Sequence, residues 1–173
     1  MFPMLWRFFP TLDPQVDVFI SRDLDSIVKL REMDAVEEWL HSGKSLHVMR
    51  DHPEHNVPML GGLWGAQLIG SRKVWGDVWK DIWTKIIADP LSKSERGNKT
   101  PDQTLLSRHV WGRVPGGAVQ HDSFFCAQYP GAVGFPSQRP NSTGNVVGAE
   151  PDRRQEHIEC PTQCRREQSW KFC

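Results

Sequence analysis

The chain has 173 residues, enough for one domain with a buried core. Its 21 basic side chains balance its 21 acidic ones and form no basic block, which argues against nucleic acid as a partner. No run approaches the ~18 apolar residues that a membrane-spanning helix needs, and the eight Trp read mainly as core packing.

Residues 1–10 are apolar but short and broken by prolines. They lack a basic start and a small-residue cleavage site, so they do not read as a signal peptide. Val16, Val18 and Ile20 then alternate with Asp17 and Phe19, which predicts a strand over 16–20. Asp23 and Asp25 fall just past its end. In open α/β sheets that edge is where ligands bind. Two carboxylates spaced i, i+2 there suit a hard divalent cation, which in turn can hold a diphosphate.

Leu30, Met33, Val36, Glu37 and Leu40 mark a helical face, with Gly43 as its stop. Residues 45–49 read as a short strand. A polar, His-rich loop over 50–56 leads into Gly61-Gly62-Leu63-Trp64-Gly65. His52 and His55, beside Asp51, invite a zinc reading. Pro53 opposes a helix across the pair, and no third ligand is near in sequence. Apolar and Trp residues recur at helical spacing over 74–87, and Asp89-Pro90 ends that helix.

A charged linker over 91–99 precedes a second helix start. Thr100 is its N-cap, Pro101 takes the first position and Gln103 reaches back as the capping-box partner. Leu105, Leu106 and Val110 supply the buried side. After a glycine-rich loop, residues 118–121 form a short strand delivering His121-Asp122-Ser123. From residue 127 onward Pro, Gly, Gln and Asn dominate, so regular structure becomes sparse.

Cys126, Cys160, Cys164 and Cys173 make an even set, and three pairings are open. Asn141-Ser142-Thr143 and Asn98-Lys99-Thr100 fit the N-glycosylation pattern, Pro101 making the second the poorer acceptor. Both features suggest the secretory-pathway lumen (Golgi or ER) or secretion. Residues 149–173 are charged and aperiodic, so they are expected to be a tail stapled by cysteines. His157 with three of the cysteines offers structural zinc as the alternative.

The order of these motifs resembles the metal-binding and acceptor-side half of a GT-A-fold glycosyltransferase. Ser21-Arg22-Asp23-Leu24-Asp25-Ser26, His47-Val48-Met49-Arg50-Asp51-His52-Pro53, Gly61-Gly62-Leu63-Trp64-Gly65, Asp102-Gln103 and His121-Asp122 carry the resemblance, over about residues 4–148. It implies an α/β fold, a partial GT-A-like mixed sheet flanked by helices, over 1–148, with an irregular Cys-containing tail over 149–173. It implies transfer of a sugar from a nucleotide-sugar donor to a glycan, lipid or protein acceptor, with Mn²⁺ or Mg²⁺ as cofactor. Asp25 and His121 would bind the metal directly. Asp23 would bind it more weakly or contact the donor, and Arg22 would meet the nucleotide phosphates or pair with an acid. Asp102 would be the acceptor-side base. Gly61, Gly62, Trp64 and Asp122 would shape the sugar site, and the 52–55 loop would lie on the acceptor side.

The base-binding half of such a domain has no counterpart before the metal strand. That strand is therefore expected to lack a neighbour, residues 1–10 to pack loosely, and nucleotide-sugar binding to be weak. A non-catalytic lumenal carbohydrate-binding or regulatory protein that retains the fold is the alternative function.

Overall fold

The computed structural model describes residues 3–88, 101–114, 116–140, 146–150 and 158–173. Five strands form one mixed sheet: β1 (Val18–Arg22), β2 (Leu46–Arg50), β3 (Leu63–Gln67), β4 (Ala118–Asp122) and β5 (Ala132–Val133), in the order β1-β3-β2-β4-β5. β3 is antiparallel to both β1 and β2, whereas β4 is parallel to β2 and β5 to β4. Four strands thus point one way, and the ends of β1, β2 and β4 meet the start of β3 at one edge.

β1 starts two residues later than its alternation predicts. Pairing with β3 carries it through Arg22, opposite Leu63, so Asp23 is the first residue off the sheet. β1 is also an edge strand, paired with β3 alone among the described residues. Val18 and Ile20 are exposed beside that open edge, the kind of strand that invites pairing with another chain.

β3 is the element that the sequence hides. Its Gly65 makes 61–65 read as a loop, yet the glycine serves packing. A Cβ there would lie 3.0 Å from both the Trp39 ring and the Phe19 carbonyl. The strand accepts a poor β-former so that the Trp39 indole can approach the backbone closely.

Helices cover both faces, giving a three-layer α/β arrangement. α1 (Leu30–Ser42) stops at Gly43, whose φ of 68° suits a glycine C-cap. Its Ala35 packs with Met49, Leu63, Phe135 and Val147 on one face. On the other, Leu46, Val48, Trp64 and Ala66 meet Trp75, Val78 and Ile82 of α2 (Arg72–Ala88). α3 (Pro101–Leu105) continues into a π-helical turn over Leu106–Val110 and closes that layer with Leu105, Leu106 and Val110. The Thr100 cap lies outside the described residues.

The N-terminal segment does not pack loosely. Pro3–Leu12 forms a 3₁₀ helix whose Leu5 and Phe8 are fully buried in the core. Each such side chain contributes roughly 1.5–3 kcal/mol of burial. The three-residue repeat of a 3₁₀ helix sets Leu5, Phe8 and Thr11 inward and Trp6, Phe9 and Leu12 outward.

The cysteines pair as Cys126–Cys164 and Cys160–Cys173. No local 160–164 bridge forms, and no thiol is left for zinc. His157 lies outside the described residues. Residues 158–173 pack against the sheet end: the Cys173 carbonyl accepts a hydrogen bond from Arg139 Nε at 2.8 Å and lies 3.2 Å from Ser123 Oγ. No helix among the described residues is long and apolar enough to cross a membrane.

Candidate functional site

The sheet edge formed by β1, β2 and β4 collects most of the carboxylates that the sequence singles out. Asp23 follows β1 and keeps a half-exposed side chain; its Oδ1 accepts a hydrogen bond from Arg7 at 3.2 Å. Asp25 is exposed and makes no hydrogen bond or ion pair among the described residues. Arg7 projects from the 3₁₀ helix and also reaches Asp102 Oδ2 at 3.0 Å. One guanidinium therefore bridges an exposed carboxylate and a buried one. Sequence reasoning missed Arg7, although it is the single charge in an otherwise apolar ten-residue stretch.

Asp102 is fully buried, and neither of its oxygens has a partner in hydrogen-bond geometry. Burial pushes its carboxyl above the usual range, while Arg7 pulls the other way. Gly61 and Gly62 make this cluster possible. A Cβ on Gly61 would collide with the Asp102 carboxylate and Arg7, and one on Gly62 with the Asp23 carboxylate. Their φ values are not positive, so the need is close approach and not an unusual turn. Ser21 Oγ donates to the Gly61 carbonyl at 2.7 Å and fixes the loop to β1.

The remaining residues go elsewhere. Arg22 turns to the α1 face and pairs with Glu32 at 2.9 Å. Trp64 is fully buried, edge-on to Phe19 at 4.9 Å and stacked near Trp75 at 5.8 Å, so no sugar can reach it. Asp122 is buried between Arg50 and the backbone N–H groups of Phe124 and Phe125, at 2.8 and 2.7 Å. Both its oxygens serve structure. Asn98 and Asn141 lie outside the described residues.

His121 does not join the aspartates. The register Met49↔His121 puts its ring on the α1 face, opposite the Arg7 cluster. Its Nδ1 lies 2.8 Å from His47 Nε2, and its Nε2 lies 3.7 Å from Glu38. His47 in turn stacks on Trp39 at 5.1 Å. Among the described residues, one set of three side chains has metal-ligand spacing: Asp122, Cys126 and Cys164. Two of its three atoms are the sulfurs of one disulfide, which offer no thiolate.

The chain matches no protein-family model, no curated protein and no solved structure. Its site must be read from geometry alone.

The buried imidazole pair gives a pH prediction. Burial holds His47 well below its ordinary range and lowers His121 to about 4, with Glu38 opposing the shift. As pH falls below ~6.5 the unfolded chain binds protons that the folded chain refuses. Stability should hold above pH ~6.5 and be lost progressively down to pH ~4, on the order of 3 kcal/mol from His121. Asp102 and Glu32, both raised by burial, act in the opposite sense. Urea unfolding of wild type and His121→Gln from pH 4 to 7 isolates the histidine. The difference between them should grow with pH across that window, and a constant difference would refute the assignment.

Proposed function

We propose that the Asp23–Asp25 edge binds a divalent cation that holds the diphosphate of a nucleotide-sugar, and that the chain carries the metal-binding part of a GT-A-like glycosyltransferase. The observation carrying this reading is the pair of outward carboxylates, spaced i, i+2, at the end of a strand whose parallel neighbours in direction end at the same edge. Two exposed carboxylates plus water suit Mg²⁺ and Mn²⁺ equally. The preference for Mn²⁺ that an imidazole would add is lost with His121 on the far face. When bound, the cation would stabilise charge on the departing diphosphate. Arg7 lies beside Asp23 and can shift from carboxylate to phosphate, a group that Arg recognises in bidentate fashion.

Asp102 favours the second reading. A carboxylate with no exposed surface, held under Arg7, cannot take a proton from an acceptor hydroxyl without rearrangement. A lumenal carbohydrate-binding protein without turnover would keep the same edge. The two disulfides accord with the lumenal or secreted location in either case.

Calorimetric titration with Mn²⁺ alone tests the site. Asp25→Asn should weaken binding at least about tenfold, or ~1.4 kcal/mol, with little change in fold because Asp25 holds no partner among the described residues. Unchanged Mn²⁺ affinity in that variant would sink the metal reading. Sugar release from nucleotide-sugars by the wild type then separates enzyme from binding protein.

A further inference from the structure

The 3₁₀ helix turns Trp6, Phe9 and Leu12 outward along one ridge, and all three are exposed. Phe9 meets Trp79 of α2 edge-on at 5.4 Å, and Trp79 stacks near the exposed Trp83 at 6.1 Å. With Lys80 these rings line an open groove of ≈ 430 Å³, within the ~300–1,000 Å³ range of ligand sites. Room does not limit what can bind there; the chemistry of its walls does.

Phe9 offers no hydrogen bond, and the Trp79 and Trp83 indoles and the Lys80 ammonium can only donate. The lining side chains therefore contain no acceptor. A sugar hydroxyl or a peptide N–H entering here would lose its water partner and gain none. A phospholipid surface makes no such demand. Its phosphate and ester oxygens only accept, and its upper chains are apolar. Trp and Lys suit such an interface, with the ring in the apolar layer and the ammonium among the headgroups.

Charge is segregated on the same helix. At about 100° per residue, Lys73, Trp79, Lys80 and Trp83 fall in one sector of roughly 120°, and Asp77 and Asp81 lie outside it. Lys73 and Lys80 are exposed and make no ion pair among the described residues, whereas Asp81 is taken by Arg113 at 2.7 Å. The basic flank thus matches anionic headgroups. Gly76 lies in the same sector, in mid-helix, where glycine costs stability. A Cβ there would meet nothing within 4 Å, so no internal packing requires the glycine. Its bare backbone leaves the flank open to close approach from outside.

We propose that this face docks onto a phospholipid surface, with Trp6, Phe9 and Trp83 entering the interface and Lys73 and Lys80 meeting the phosphates. The inference does not rest on the glycosyl-transfer reading.

The test sediments the full, disulfide-bonded chain with vesicles of phosphatidylcholine alone and of phosphatidylcholine mixed with phosphatidylglycerol. Both should bind, the anionic vesicles more tightly, and salt should remove only that excess. Gly76→Glu sets an acid in the middle of the face, at an exposed site with open space. Glu is the better helix former, so the thermal midpoint should hold or rise. Vesicle binding should nevertheless fall at least about tenfold. Trp6→Ser combined with Trp83→Ser should weaken both vesicle types by about as much. Lys73→Gln combined with Lys80→Gln should remove the preference for anionic vesicles, roughly fivefold for each lysine. No sedimentation with either vesicle, or undiminished binding by Gly76→Glu, would overturn the proposal. So would a concentration-dependent dimer in sedimentation velocity that Gly76→Glu dissolves, because the face would then cover a second copy.

Discussion

Replacing Asp51 with Ala is expected to destabilise the protein by about 3–5 kcal/mol, the cost of leaving a buried charge unpaired. Asp51 is fully buried and lies at the end of β2. Arg31, itself buried, reaches it with Nε and Nη2, both at 3.1 Å. Ser123 Oγ donates to the same carboxylate, and Arg139 Nε lies 3.8 Å away. Arg31 also stacks on Phe135, 4.0 Å from the ring centroid. Removing the carboxylate leaves the Arg31 guanidinium, the Ser123 hydroxyl and the Val147 N–H without that acceptor, whereas Arg139 Nε keeps the Cys173 carbonyl. A domain of ordinary stability holds only ~5–15 kcal/mol in total, so the variant should be marginal. Urea denaturation measures the loss, and a change below about 1 kcal/mol would show that water replaces the carboxylate. The double variant Arg31→Met, Asp51→Leu should recover part of the stability, because burying two apolar groups avoids the desolvation of both charges.

Opening the disulfides is expected to have the second largest effect. Cys126–Cys164 spans 38 residues and Cys160–Cys173 spans 13. Loop-closure entropy assigns them about 4 and about 3 kcal/mol respectively. The two loops interlock, since Cys160 lies inside the first and Cys164 inside the second, so their contributions should not add. Each paired Cys→Ser variant should lower the thermal midpoint by roughly 10 °C for a chain of this size. The Cys160–Cys173 variant should also release the Cys173 carbonyl from Arg139, which exchange of the Arg139 Nε–H would report. A shift under about 2 °C in both variants would mean that the segment 158–173 is held by its buried contacts and not by its covalent links.

Local patterns set much of this molecule. A strand ahead of the Asp pair, helices at α1 and α2 and the stop at Gly43 all appear where period and chemistry place them, although β1 begins two residues late and α1 buries Arg31, Glu32, Ala35 and Trp39 while its expected face of Leu30, Met33 and Leu40 is exposed. The reason is that each depends on neighbours within four residues. The position of the Asp pair past a strand end follows from the same short-range logic. What only the tertiary structure decided is which face, and which partner, each functional side chain meets. β3 is invisible locally because Gly65 answers to Trp39, a residue 26 positions away. His121 reads as a metal ligand until the β2–β4 register turns it toward His47 and Glu38. Asp122 and Trp64 carry the right chemistry for a sugar site, yet burial commits the first to Arg50 and the second to the aromatic core. Arg7 enters the site because a 3₁₀ turn packed by Leu5 and Phe8 aims it at Asp23 and Asp102. Sheet register and long-range packing are properties of the whole chain, and no window of sequence contains them.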